Sequence, residues 1–160
     1  MKHLIMVASL FFLAAFGPAP SDVEKKAVNK VLDTLHAAAA EADWQTYFAL
    51  YRDDATFLGT DVSERWDMPT FREYSKKAKN GWLYVVKERH LDFGADGTTA
   101  WFDEVLTNAK YGTSRGTGVL IRGENGKWRI AQYHLTFPIP NELAAEMTKQ
   151  IQDFTAPAKD

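Results

Sequence analysis

Apolar residues along this chain change their period from helical to alternating a little past the midpoint. Ser21-Asp22-Val23-Glu24 places a capping serine three residues before a glutamate, the signature of a helix start. Behind it Ala27, Val28, Val31, Leu32 and Leu35 recur at helical spacing, which predicts a first helix to about Glu41. Asp43 caps a shorter helix, "WQTYFALY", with Trp44, Tyr47, Phe48 and Tyr51 crowding one side. "RDD" ends it, and "ATFLG" at 55–59 reads as a short strand. "TDVSERWD" follows as a polar loop with one large aromatic, Trp66. Asp67 caps a third helix, "MPTFREYSKKAK", which tolerates Pro69 in its first turn and stops at Asn80-Gly81.

From residue 82 strands dominate. "WLYVVKERHLDFG" and "TTAWFDEVLTNAKYG" meet at Asp96-Gly97, a hairpin signal that sets Asp103 opposite His90 and Glu104 opposite Arg89. "TSRGTGVLIRG" and "KWRIAQYHLTFPI" meet at Glu124-Asn125-Gly126. Pro138 and Pro140 end the last strand, and Asn141 caps a final helix with Leu143, Met147 and Ile151 on one stripe. Three helices, four long antiparallel strands and a closing helix predict an α+β fold, with helices on one face of a curved sheet.

The last hairpin assigns the faces. Its loop is expected to hold two or four residues, and both lengths give the same result. One face carries Arg115, Thr117, Val119 and Ile121 with Trp128, Ile130, Gln132 and His134. The other carries Leu120 and Arg122 with Arg129, Ala131, Tyr133 and Leu135. Near the turn the first face is wholly apolar and the second holds two arginines, so the first is expected to look into the core. Its far end is polar, and inward polar groups need partners or a cavity.

Composition narrows the chemistry. The chain has 160 residues, 46% hydrophobic and 25% charged, enough for one domain with its own core. The formal net charge is −2 and no block of basic residues occurs, which argues against nucleic acid as a partner. There is no cysteine, so disulfides, thiolate catalysis and zinc–thiolate sites are excluded. The four histidines, His3, His36, His90 and His134, lack metal-ligand spacing; no metal and no cofactor are expected. Met1-Lys2-His3, the apolar run from Leu4 to Phe16 and the break at 17–20 read as an export signal. Residues 1–20 are therefore set apart from a single domain at 21–160. A periplasmic or secreted protein is expected, with no stable membrane span once the signal is removed.

"RGTGVLIRGENGKWRIAQYHLTFPIPN" resembles the closing hairpin of the SnoaL-like branch of the nuclear transport factor 2-like superfamily. "ADWQTYFALYRDDATFLGTDVSERW" resembles its second helix and first strand, and "TAWFDEVL" its middle strand. The resemblance covers about residues 22–154. It implies a cone: a curved antiparallel sheet wrapped around three N-terminal helices, a C-terminal helix, and a pocket at the open end. It also implies a homodimer through the outer sheet face, where Tyr133, Ala131 and Leu120 are expected. Family members include isomerases, cyclases, dehydratases, scaffolds and proteins of unknown role, so the fold names no activity. The pattern of the steroid isomerases is missing: the first helix has no tyrosine, Gly59 stands where their base aspartate falls, and Arg115 replaces an acid.

The candidate site follows from the face assignment. Arg115 is expected to hold an anion in two-point fashion, with His134, Gln132 and Thr117 beside it; alternatively Arg115 pairs with Asp103. Of Asp103 and Glu104 only one can face inward, and Trp101 with Asp103 is favoured. Asp103 and His134 would then form an acid–base couple. Trp66, in the loop after the first strand with Asp61 and Glu64, is expected over the pocket mouth, and Tyr51 is carried as a wall residue. His36 is expected to be a solvated or satisfied helix residue. The function expected is the binding of a small, partly apolar molecule. The alternatives are a cofactor-free lyase, isomerase or cyclase using Asp103 and His134, and a dimeric interaction module with no ligand.

Overall fold

Helix α1 (Asp22–Ala40) starts where the capping pattern puts it, with Ser21 Oγ accepting from the Glu24 amide at 3.3 Å. This computed structural model describes residues 21–156; the expected export signal at 1–20 lies outside them. The α1 stripe Val28, Leu32 and Leu35 is essentially fully buried, each side chain contributing about 1.5–3 kcal/mol. Asp43 caps α2 (Trp44–Ala49) through the Thr46 amide, and Asp67 caps α3 (Met68–Ser75) through the Thr70 amide.

Six strands form one mixed sheet, not closed into a barrel: β1 (Tyr51–Leu58), β2 (Arg65–Asp67), β3 (Val85–Phe93), β4 (Thr99–Asn108), β5 (Gly112–Arg122) and β6 (Trp128–Thr136). They lie in the order β2-β1-β6-β5-β4-β3. Helices α1–α3 fill the concave side, and α4 (Asn141–Thr155) follows the last strand. This is the expected α+β cone, except that the sheet is mixed and not wholly antiparallel, since β1 and β6 run parallel. The β3–β4 register is also as expected, His90 opposite Asp103 and Arg89 opposite Glu104.

Several boundaries differ, each for a local reason. Strand β1 begins at Tyr51, inside the segment expected to end α2, because β6 pairs with it in parallel: the Ile130 amide donates to Leu50 O at 2.9 Å and Tyr51 sits opposite Ile130. The "polar loop" contains β2, which pairs antiparallel with β1 and sets Trp66 opposite Phe57. Helix α3 stops at Ser75, and β3 starts only at Val85. Between them Gly81, at φ 69°, packs so tightly on the end of α1 that a Cβ there would lie 2.3 Å from Ala39 O. The next amide, Trp82 N, donates to the same oxygen at 2.7 Å. This dock takes Trp82 out of the sheet and into the cone.

The face assignment of β5 is inverted, and β6 switches part-way. The turn leaves five residues, 123–127, between paired positions, so Trp128 sits opposite Arg122 and Ile130 opposite Leu120. An odd loop reverses the parity that two or four residues would give. A bulge at Ala131 then shifts the register again, so that Gln132 sits opposite Val119 and Tyr133 opposite Gly118. The inner face therefore reads Ser114, Gly116, Gly118 and Leu120 on β5, and Trp128, Ile130, Tyr133 and Leu135 on β6. Arg122 was misleading because, at the half-exposed end of the inner face, its charge is met by Glu24 of α1 at 2.9 Å, and Trp128 Nε1 donates to the same carboxylate.

The outer face accordingly takes Arg115, Thr117, Gln132, His134, Trp101 and Asp103, all expected inside. Tyr133 and Leu120, expected on that outer face as dimer contacts, are buried in the core. Glu104, not Asp103, points inward and is fully buried, because Ala100, Phe102 and Leu106 share its parity.

Candidate functional site

The open end of the cone leads into a cavity of about 520 Å³, within the usual size of a small-molecule pocket. Its wall is aromatic. Trp82, Phe71, Phe57 and Tyr133 form a row of near-parallel rings, with interplanar angles of 5°, 22° and 3° between successive members. Trp66 stacks on Phe57 and leans on Tyr74 at 4.4 Å. The loop after β1 contributes Gly59, Thr60 and Glu64 to the mouth, with Asn108, Lys110, Tyr111 and Phe137 opposite. Flat slabs of this kind favour a flat, partly apolar ligand.

At the floor a buried polar network meets this wall. Glu104 Oε1 accepts from His36 Nε2 at 2.7 Å and from the Tyr133 hydroxyl at 2.9 Å. Glu104 Oε2 accepts from Arg89 Nε at 2.9 Å. Arg89 in turn donates to Asn29 and Asp33 of α1. Burial pushes the Glu104 carboxyl up, but the His36 hydrogen bond and the charges of His36 and Arg89 outweigh it and hold it below the usual carboxylate value. Burial, reinforced by the Glu104 charge, pushes the Tyr133 phenol well above its ordinary value. Tyr133 thus remains a donor and Glu104 an ionised acceptor.

Glycines make room for this arrangement. A Cβ on Gly116 would lie 2.3 Å from the Tyr133 hydroxyl and 2.9 Å from Glu104 Oε1; one on Gly118 would lie 2.3 Å from Gln132 O and 2.7 Å from the Phe102 ring. The β5 run of small residues is a trench in which Tyr133, Phe102 and Glu104 lie.

His36 has chemistry to spare. Because the carboxylate only accepts, Nε2 carries a proton, and in the neutral ring Nδ1 is then the acceptor. Among the described residues Nδ1 has no hydrogen-bond partner, it is not one of the buried unpartnered atoms, and His36 lines the cavity. A carboxylate orienting an imidazole whose far nitrogen is free is the arrangement of a general base.

Of the residues singled out from the sequence, Trp66 lines the pocket, as do Glu64 and the loop around it. Tyr51 does not: its hydroxyl meets that of Tyr47 at 3.1 Å inside the core. Asp103 and His134 face each other only across Thr117 of the intervening strand, two strand spacings or about 10 Å apart, so they form no couple. Arg115 is exposed and pairs with no acid among the described residues, Asp103 included. His36, Glu104, Arg89 and Tyr133 were the residues missed. The available signal was His36 beside the Leu32–Leu35 stripe and the apolar company of Glu104 at even positions.

Comparison with known proteins agrees with this architecture. The profile of the SnoaL-like domain matches residues 28–140. The chain belongs to the SnoaL-like domain family. Among solved structures, this SnoaL-like chain is similar to an NTF2-like protein of unknown function from Pseudomonas putida KT2440, at TM-score 0.65 and 13% identity over 77% of this chain and 92% of that one. It is similar to a candidate scytalone dehydratase from Novosphingobium aromaticivorans DSM 12444, at TM-score 0.61 and 12% identity over 73% and 85%. It is also similar to a candidate ketosteroid isomerase from Shewanella frigidimarina NCIMB 400, at TM-score 0.57 and 16% identity over 68% and 94%. Identities this low speak for the fold alone. No curated protein matches the sequence.

Proposed function

We propose that this SnoaL-like protein is exported and binds a small, flat, partly apolar molecule in its cone pocket. The observation that carries the reading is the aromatic-walled cavity of about 520 Å³ ending on a polar floor. Parallel rings supply contact area, and His36 at the floor with Lys110 at the mouth supplies polar anchors for a carbonyl or carboxylate. Export rests on the residue pattern of 1–20. The test is native mass spectrometry of protein purified from its own periplasm. Mass beyond the bare chain is expected, lost in a Trp66→Ala/Phe57→Ala variant. A bare chain with a pocket that leaves Trp fluorescence unmoved across a panel of aromatic and polycyclic acids and ketones would end this reading.

A second reading has its own observation. The free Nδ1 of His36, backed by ionised Glu104, supports cofactor-free proton transfer on the bound molecule. His36 Nδ1 takes a proton from a carbon next to a carbonyl, and the C–H pair moves into the enolate. The same nitrogen then returns the proton to a neighbouring atom in an isomerisation, or to a departing hydroxyl, which leaves as water, in a dehydration. The couple is His36 with Glu104, in place of Asp103 with His134. Solvent deuterium exchange into bound ligand, abolished in His36→Ala at ligand concentrations that saturate the variant, is the expected result; exchange unchanged in that variant would exclude it.

A further inference from the structure

Three segments meet at one side of the pocket mouth, and none of them carries an acid. Residues 74–84 hold Lys76, Lys77 and Lys79, residues 105–114 hold Lys110, and residues 135–140 are uncharged. Asn108 staples the first two. Its Nδ2 donates to Leu83 O at 2.8 Å, and its Oδ1 accepts from the Lys110 and Tyr111 amides. Phe137 adds the third segment by packing on Tyr111 at 5.0 Å. Leu83, Lys110, Tyr111 and Phe137 all line the cavity, so they form a lip of the site itself.

This lip presents apolar surface to water. Leu83 is 61%, Tyr111 51% and Phe137 38% exposed, and exposed apolar side chains clustered inside a polar border mark a contact surface. The border is cationic. Lys76 pairs with Glu73, whereas Lys77, Lys79 and Lys110 join no ion pair among the described residues. Lys77 lies over the Tyr74 ring at 5.6 Å and Lys110 over the Tyr111 ring at 4.7 Å, so ammonium and ring share one level. Glu64, across the mouth, turns its carboxylate to the Asp61 amide at 3.2 Å. After Phe137 the next acid along the chain is Glu142, on α4 beyond the proline connection. The chain as a whole carries −2, which sets a positive lip against a negative remainder.

We propose that this lip docks on an anionic lipid surface, with the pocket mouth turned toward the bilayer. Tyrosine rings with lysine stems over them suit the headgroup layer, since each has one apolar part and one wet end. Leu83 and Phe137 then reach the acyl boundary below it, and the three unpaired lysines are drawn by the negative leaflet. The contact is peripheral: among the described residues no helix is long and apolar enough to cross a bilayer. A covering protein fits less well, because it would need acids to meet the lysines and would seal the opening of an apolar-walled cavity. Docking does not require a loaded pocket. The further step, passage of a flat apolar molecule from the lipid into the cavity, rests on the pocket-binding reading above.

Co-sedimentation with vesicles tests this on protein purified from its own periplasm. Binding is expected to vesicles of phosphatidylglycerol and phosphatidylcholine, and weaker binding to phosphatidylcholine alone. Lys77→Gln/Lys79→Gln/Lys110→Gln should weaken binding to the anionic vesicles about a hundredfold, at about fivefold for each surface charge. Leu83→Ser should weaken it about tenfold through lost apolar burial. Lys25→Gln/Lys26→Gln/Lys127→Gln makes the same charge change at exposed positions beside the β5–β6 turn, at the other end of β5 from the lip, and should leave binding unchanged. The proposal is overturned by a protein that ignores anionic vesicles, by equal binding to phosphatidylcholine alone, by binding that survives the lip substitutions, or by equal losses in the two lysine triples. Capture on immobilised poly-glutamate without vesicle binding would overturn it in favour of an acidic protein partner. Ligand mass is read separately. A bare chain that sediments with anionic vesicles supports the docking and ends only the pocket reading; a loaded chain that ignores them does the reverse.

Discussion

The two faces of this sheet carry the same kinds of side chain and use them differently. On the outer face His90 and Arg115 are exposed and Asp103 and His134 half-buried, with His90 bonded only to its strand neighbour Glu88 among the described residues. On the inner face Glu104, His36, Arg89 and Tyr133 close into a network with contacts of 2.7–2.9 Å. Directly successive residues, Asp103 and Glu104, belong to opposite worlds. Water screens and hydrates the first set, so geometry among them is worth little. Burial obliges the second set to satisfy one another, and that obligation holds the His36 ring with Nε2 on the Glu104 carboxylate beside the cavity.

The largest break in this contrast is Glu104→Ala. It leaves the Arg89 guanidinium, already with one buried unpartnered nitrogen, without its inner counter-ion, and it strips His36 and Tyr133 of their acceptor. Removing one partner of a buried pair costs about 3–5 kcal/mol. The same truncation one residue earlier, Asp103→Ala, should stay within about 0.5 kcal/mol, as surface changes do. Paired urea titrations measure both; equal losses would erase the distinction between the faces.

Two smaller changes probe the inner face alone. Tyr133→Phe removes a hydrogen bond to a charged group, worth about 1.5–3 kcal/mol, while His36 still holds the same oxygen. Gly118→Ala forces a methyl against Gln132 O and the Phe102 ring and should cost about 1–3 kcal/mol by overpacking. Thr117→Ala, the neighbour that faces outward, should be nearly silent. Thermal melts of the three variants rank them.

The inner network also sets an acid limit. The folded Glu104 carboxyl titrates below the value of 4.5 it has when unperturbed. The unfolded chain therefore binds that proton at a pH where the folded chain does not. Stability from this group is complete above about pH 5 and is lost as pH falls through the folded value. Glu104→Gln removes the proton linkage, so its stability should be flatter between pH 5 and 3 even though lower throughout, as measured by urea midpoints across that range.

The α+β cone was legible in the sequence because it rests on local signals that agree: three capped helices, turn residues at fixed offsets, and a change of hydrophobic period. The β3–β4 register was legible too, since Asp96-Gly97 binds its own turn tightly; three bonds to Asp96 from Thr98 and Thr99 hold its carboxyl down to about 2. The site was not, and the reason is a single residue of count. A five-residue loop and a bulge at Ala131 each shift the last hairpin by one position, and a one-residue shift moves every side chain on the strand to the other face. Arg122 then strengthened the wrong choice, because a charge that pairs with Glu24 of α1 at the edge of the inner face looks, in sequence, like a charge meant for the opposite face. The glycines of β5 were the better guide. A strand that alternates small residues opposite large ones is making room, and the room is where Glu104 and Tyr133 lie.

The smallest predicted effect tests that lesson most sharply. If Arg115 and His134 belong to the exposed face, as their position across the sheet from Tyr133 requires, then Arg115→Ala and His134→Ala should each change stability by no more than about 0.5 kcal/mol. Neither should alter Trp fluorescence changes on ligand addition, since neither side chain reaches the cavity. His36→Ala, on the other hand, should alter the ligand-dependent signal at once, because its ring forms part of the cavity wall. A weakened ligand response in Arg115→Ala would mean that the β5 register in solution is one residue away from the one described, with Gly116 and Gly118 outside. That alternative fails on packing: it would turn Glu104's cross-strand neighbour into an arginine and leave Tyr133 facing a side chain where it now has a glycine trench.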